Sequence, residues 1–95
     1  MKLRYTRRAA KELDQALAYI DVRSPQGAAH VKARIQAIAD LIALHPHAGR
    51  LTSRHGLRRI VVQHYPYLIF YTVSENEIVI HGARHAARRP SSTPQ

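Results

Sequence analysis

Cysteine is absent from this chain, so neither a disulfide nor a thiolate metal site can stabilise it. No apolar run approaches the ~20 residues of a membrane-spanning helix. Residues 1–8 carry charge without an apolar stretch, so no secretory leader and no membrane association are expected. A cytoplasmic protein is the reading that follows. Acids are scarce: six Asp and Glu stand against fifteen Lys and Arg, a formal charge of +9. Beyond Leu41 the acids are Glu75 and Glu77, against seven arginines. Internal repeats and domain linkers are missing too, and 95 residues leave room for one domain with a modest core.

What the chain does have is periodicity. Residues 2–5 alternate as a short strand. Thr6 offers a helix N-cap, and Ala10, Leu13, Leu17 and Ile20 recur at helical spacing to about Arg23, with Lys11, Asp14 and Gln15 on the opposite face. Ser24-Pro25 is a restart signal, serine as N-cap and proline at the first helical position, where its missing N–H is not needed. Ala28, Val31, Ile35, Ile38 and Ile42 then form one stripe, broadened by Ala39 and Leu41, until Pro46 stops the helix near Leu44. So short a connection predicts an antiparallel helix hairpin.

After Pro46 the period changes from 3.6 to 2. Residues 47–56 read as a turn region in which Gly49 supplies a positive φ. Residues 57–63, 65–73 and 78–84 read as strands, with residues 74–77 as a hairpin turn and Pro66 at the start of its strand. The order β-α-α-β-β-β predicts an α+β fold, an antiparallel sheet packed on a two-helix hairpin. One domain is expected over residues 1–88, and a flexible C-terminal tail over 89–95. Tyr67, Ile69, Tyr71 and Val73 share one face of the central strand, and Leu68, Phe70 and Thr72 share the other. Both faces are apolar, so one meets the helices and the other is partly exposed or covered by a partner.

Taken together, the Ala10/Leu13/Tyr19-Ile20 helix, Ser24-Pro25, Pro46-x-x-Gly49-Arg50, Tyr65-Pro66-Tyr67 with Tyr71, and the closing Gly82-Ala83-Arg84-His85 resemble the RelE/ParE superfamily of toxins from type II toxin–antitoxin modules. The likeness covers about residues 2–90; the order and spacing of these pieces carry it, since no single piece is specific. It implies a growth-arresting toxin, the kind that stabilises plasmids, neutralised by a cognate antitoxin with a disordered acidic or amphipathic tail. It also implies two branches: RelE-type members cut messenger RNA on the ribosome, and ParE-type members poison DNA gyrase.

Metal-free RNA cleavage requires a base for the 2′-hydroxyl, cations for the phosphorane and an acid for the leaving oxygen. RelE-type nucleases are similar to one another in carrying an arginine directly after the tyrosine of the central strand, basic groups on the preceding strand, a late arginine and often a late tyrosine or histidine. Here Tyr67 is followed by Leu68, which cannot hold a phosphate. Arg59 is a basic candidate on the preceding strand, but Val61, pointing the same way, is aliphatic. Arg84 matches the late arginine, and His85 carries an imidazole, a side chain able to serve as acid or base. A nuclease would therefore rest on Arg59, Arg84 and His85, and the balance favours a ParE-type gyrase inhibitor that is not an enzyme. The plainer reading of Arg84-His85 is a basic strand end facing solvent.

No cofactor is expected. Among the seven histidines, His81 and His85 share a strand face but lie on the order of 13 Å apart at strand rise, too far to bind one ion together. A surface for antitoxin or target is expected around Arg50, Arg58, Leu68, Phe70 and Arg84, the arginines steering an acidic partner. For Arg50, a salt bridge within the domain is an equal alternative. A small basic nucleic-acid-binding module remains an alternative of another class, although helix-turn-helix spacing is missing and the aromatics alternate with aliphatics as core residues do.

Overall fold

The computed structural model describes residues 1–63 and 65–86. The expected tail, residues 89–95, lies outside the described residues. In chain order the elements are β1 (Lys2–Tyr5), α1 (Arg7–Arg23), α2 (Pro25–Leu44), β2 (Arg50–Leu51), β3 (Arg58–Val62), β4 (Tyr67–Val73) and β5 (Glu77–His85).

Both helices begin where capping chemistry places them. The Thr6 hydroxyl accepts the Ala9 N–H at 3.0 Å and opens α1. Ser24 then serves both helices: its N–H donates to the Ile20 carbonyl at 2.7 Å, and its hydroxyl accepts the Gly27 N–H at 3.0 Å. With one residue between them the helices fold back on each other. On α2 the stripe is Val31, Ile35, Ala39 and Ile42, all buried. On α1 the buried alanine is Ala9; Ala10, assigned to the stripe from the sequence, is exposed, because Ala9, four residues before Leu13, is the position that continues the Leu13, Leu17 and Ile20 face.

The sheet order is β1-β5-β4-β3-β2. β3, β4 and β5 are antiparallel neighbours, as the sequence predicts, but β1 runs parallel to β5, so the sheet is mixed. The reason is parity. Each helix and each hairpin reverses the chain, and the two-residue strand β2, sited in the expected turn region, adds one reversal that the sequence pattern does not announce. With it, β5 points the same way as β1. Pro66 lies in the turn before β4, one step earlier than the start of the strand.

One sheet face carries the core. Ile69 and Tyr71 of β4, Ile78 and Ile80 of β5 and Val62 of β3 meet Ala9, Val31, Ile35 and Ile42 from the helices. The valines and isoleucines among them that are under 2% exposed (Val31, Ile42, Val62, Ile69, Ile78 and Ile80) each stabilise the fold by about 1.5–3 kcal/mol relative to remaining in water. A register shift between Phe70 and Tyr71 makes the β4–β5 pairing skip His81. That bulge separates His81 from His85: the first lines a cavity with Thr72, the second sits against Tyr67. The two histidines therefore do not share a face, contrary to the simple alternation.

Candidate functional site

The residues singled out by the sequence fall on the sheet face turned away from the helices and on the cleft between α1 and the β4–β5 end. Along the outer face the register gives two rows. Arg50, Arg59, Phe70 and Gly82 stand side by side, and next to them Val61, Leu68 and Arg84. Arg50 and Arg59, both exposed, are direct cross-strand neighbours. Like charges in that relation destabilise a sheet, and among the described residues no acid pairs with either arginine, which leaves a positive edge suited to an acidic partner. Val61 is 58% exposed and Leu68 half-buried, which makes the second row an accessible aliphatic strip.

Phe70 and Arg58 depart from expectation. Phe70 is only 3% exposed, so its ring belongs to the packing of the outer face and is not offered to a partner. Arg58 points into the loop after α2, donating to the Gly49 carbonyl at 2.7 Å and the His47 carbonyl at 3.4 Å. Its guanidinium fixes that loop. Gly49 has a different reason from the one inferred: its φ is not positive, Gly56 being the positive-φ glycine of this region. A Cβ on Gly49 would lie 2.6 Å from the Tyr71 hydroxyl oxygen and 2.9 Å from the Arg59 carbonyl oxygen, so close approach demands glycine there.

Arg84 and His85 are brought together in a cleft of about 880 Å³ whose walls include Tyr19 and Ile20 of α1 and Tyr65 and Tyr67 of the sheet. Arg59 is not among its lining residues. The Tyr67 and His85 rings meet edge to face, centroids 5.3 Å apart. Glu12 organises the rest. Its carboxylate pairs with the Arg84 guanidinium, accepts the Ala83 N–H at 3.1 Å and receives Arg8 Nε at 3.4 Å. Beyond the end of β1 the outer edge of β5 has no strand partner among the described residues, and Glu12 supplies an acceptor for Ala83. Glu12 carried no signal in the sequence beyond its i, i+4 relation to Arg8; its meeting with residue 84 exists only in the fold. Among the described residues, no three His, Cys, Asp or Glu converge as a metal site. His81 has its pKa lowered by burial and, less, by the Arg4 charge.

Residues 3–90 match the family model of the ParE toxin of type II toxin–antitoxin systems, parDE. The chain belongs to this toxin family. It is the toxin component of a type II toxin–antitoxin system, within the wider RelE/ParE superfamily. Toxin RelE2 of Caulobacter vibrioides is 38% identical over 84 residues, covering 88% of this chain and 93% of its own. The Sinorhizobium fredii protein Y4kP is 37% identical over 75 residues, 79% of this chain and 78% of that one. Among solved structures, the chromosomal ParDE system of P. aeruginosa superposes with a TM-score of 0.69 at 27% identity, over 90% of this toxin and 95% of that chain. The α+β fold of two helices and a five-stranded mixed sheet is thus a ParE-like one. Among the described residues no helix is long and apolar enough to cross a membrane.

Proposed function

We propose that this toxin acts as a DNA gyrase inhibitor of the ParE type and does not cleave RNA. The observation that carries the reading is the Val61–Leu68 strip. Where RNA-cleaving relatives hold phosphate beside the central tyrosine, two cross-strand neighbours are aliphatic. Loss of one oxyanion donor alone costs about 2.7–4 kcal/mol of transition-state stabilisation, a hundredfold to a thousandfold in rate. Arg84, the retained arginine, is engaged by Glu12, which offsets its charge.

A cognate antitoxin neutralises the toxin in this proposal. Its acidic or amphipathic tail folds on the Arg50–Arg59 edge and the Leu68 strip. Leu68→Arg then weakens antitoxin binding while leaving the fold intact; unchanged affinity in the folded variant would remove Leu68 from the interface.

The RNase reading keeps one observation in its favour, the meeting of Arg84 and His85 in one cleft beside Tyr67. Two assays on the purified toxin separate the branches. Inhibition of gyrase supercoiling with no cuts in ribosome-bound message is expected. Codon-spaced cuts that vanish in His85→Gln, with gyrase unaffected, would replace the gyrase assignment by the nuclease one.

A further inference from the structure

A second, smaller cavity opens on the outer sheet face at the far end of β4 from Leu68. It occupies about 310 Å³, the lower end of the roughly 300–1,000 Å³ typical of ligand sites. Three separate stretches of chain build it. The β1–α1 junction gives Thr6 and Arg8, the loop between β2 and β3 gives Arg54 and His55, and the β4–β5 hairpin gives Thr72 and His81. Buried Leu57 completes the wall.

We propose that this cavity is a binding site for a phosphate group, distinct from the α1 cleft and independent of whether gyrase or RNA is the toxin's target. Every polar side chain lining it is a cation, an imidazole or a hydroxyl, and no acid is among them. The larger cleft, by contrast, contains Glu12. Arg8 shares its charge with Glu12 at 3.4 Å, whereas the guanidinium of Arg54 makes no ion pair or hydrogen bond among the described residues. Arg54 is instead held through its backbone, its N–H donating to the Thr52 hydroxyl at 3.1 Å, so the loop is fixed while the guanidinium fork stays available.

Thr72 Oγ1 and His81 Nε2 lie 2.8 Å apart. When Nε2–H donates to that oxygen, the threonine O–H is left to donate onward to an anion. α1 opens beside the site with no acid in its first turn, so the positive end of its dipole adds to the field. The Thr6 hydroxyl is engaged within the fold, accepting the Ala9 N–H and donating to the His81 carbonyl at 3.4 Å, so the donors left for a ligand are the Arg54 fork, the His55 imidazole and the Thr72 hydroxyl, with Arg8 behind them. A tetrahedral phosphate ester matches them better than an acidic side chain.

The test is a ¹⁵N NMR titration of the full chain with inorganic phosphate at constant ionic strength. Saturable shifts confined to Thr6, Arg54, His55 and Thr72 are expected, with affinity falling about tenfold in Arg54→Gln and in His55→Gln and unchanged in Arg34→Gln on α2. Titration with a mononucleotide and with a short DNA duplex tells a free nucleotide from a backbone phosphate, since the true source binds more tightly than phosphate alone. Shifts scattered over all exposed arginines, equal losses in Arg54→Gln and Arg34→Gln, or no saturation would overturn the site. So would tighter binding at this cavity by a Glu-rich peptide than by any of the phosphates.

Discussion

Tyr71→Phe removes one oxygen atom and almost no volume, so it isolates the polar anchor that joins the end of α2 to the sheet. Tyr71 is 0% exposed; its hydroxyl accepts the Gly49 N–H at 2.7 Å and donates to the Pro46 carbonyl at 2.9 Å. Each such bond contributes about 1 kcal/mol net, and a buried N–H left without a partner costs a further 1–3 kcal/mol. Gly49 is buried and Pro46 half-buried, so the full penalty applies to the glycine N–H and water can reach the proline carbonyl. The expected loss is therefore about 3 kcal/mol, which is large against the roughly 5–15 kcal/mol of a small domain. Urea unfolding followed by circular dichroism measures it: the midpoint should fall by roughly 1–3 M with an unchanged slope. Arg58 grips the carbonyl of the same Gly49 residue at 2.7 Å, so Tyr71→Phe and Arg58→Met should couple by more than about 0.5 kcal/mol in a double-mutant cycle. A loss below about 0.5 kcal/mol for Tyr71→Phe, or strict additivity with Arg58→Met, would show that the loop is not held as described.

Gly49→Ala should destabilise more than an ordinary surface glycine change, by about 2 kcal/mol or more, since the new Cβ meets the Arg59 carbonyl as well as the tyrosine ring; a stability within 0.5 kcal/mol of the parent would contradict the close approach. Phe70→Glu should leave the chain largely unfolded by circular dichroism, because it places a carboxylate where the ring is 3% exposed, whereas Leu68→Arg should fold. Glu12→Ala loses the Arg84 pair and the acceptor for Ala83, about 2 kcal/mol or more, while Glu12→Gln keeps an acceptor and should lose less; equal losses would deny the edge-capping role. His81 has a folded pKa below its unfolded one, so the unfolded chain binds the extra proton first, and stability should fall as pH drops below about 6.5 toward and through the folded value. Urea midpoints from pH 7.5 to 5 should show a shallower decline in His81→Gln, and an identical decline would assign the effect elsewhere.

Local rules made most of the fold legible in advance. Thr6 and Ser24 compete for backbone N–H groups within three residues, so their capping is written in the chain, and both helices start where those residues stand. The alternation through Tyr67, Ile69, Tyr71 and Val73 depends only on the pleat, so their sharing of one face was legible, whereas which of the two apolar faces meets the helices was decided by packing. The family resemblance was likewise carried by order and spacing along the chain, and the match over residues 3–90 agrees with it.

What the sequence could not decide were the relations set by distance in space. A two-residue strand such as β2 has no periodicity to detect, yet it reverses the chain once more and turns β1 parallel to β5. One skipped residue at His81 puts two histidines on different surfaces, because a shift of one residue exchanges the faces of a strand. Arg58, Arg59 and Arg84 look alike in the sequence. Packing alone assigns the first to backbone carbonyls, leaves the second on an exposed edge beside Arg50, and pairs the third with Glu12 from a helix at the other end of the chain. Charge is a property of composition, but whether an arginine is available to a partner depends on which carboxylate or carbonyl the fold has already brought to it.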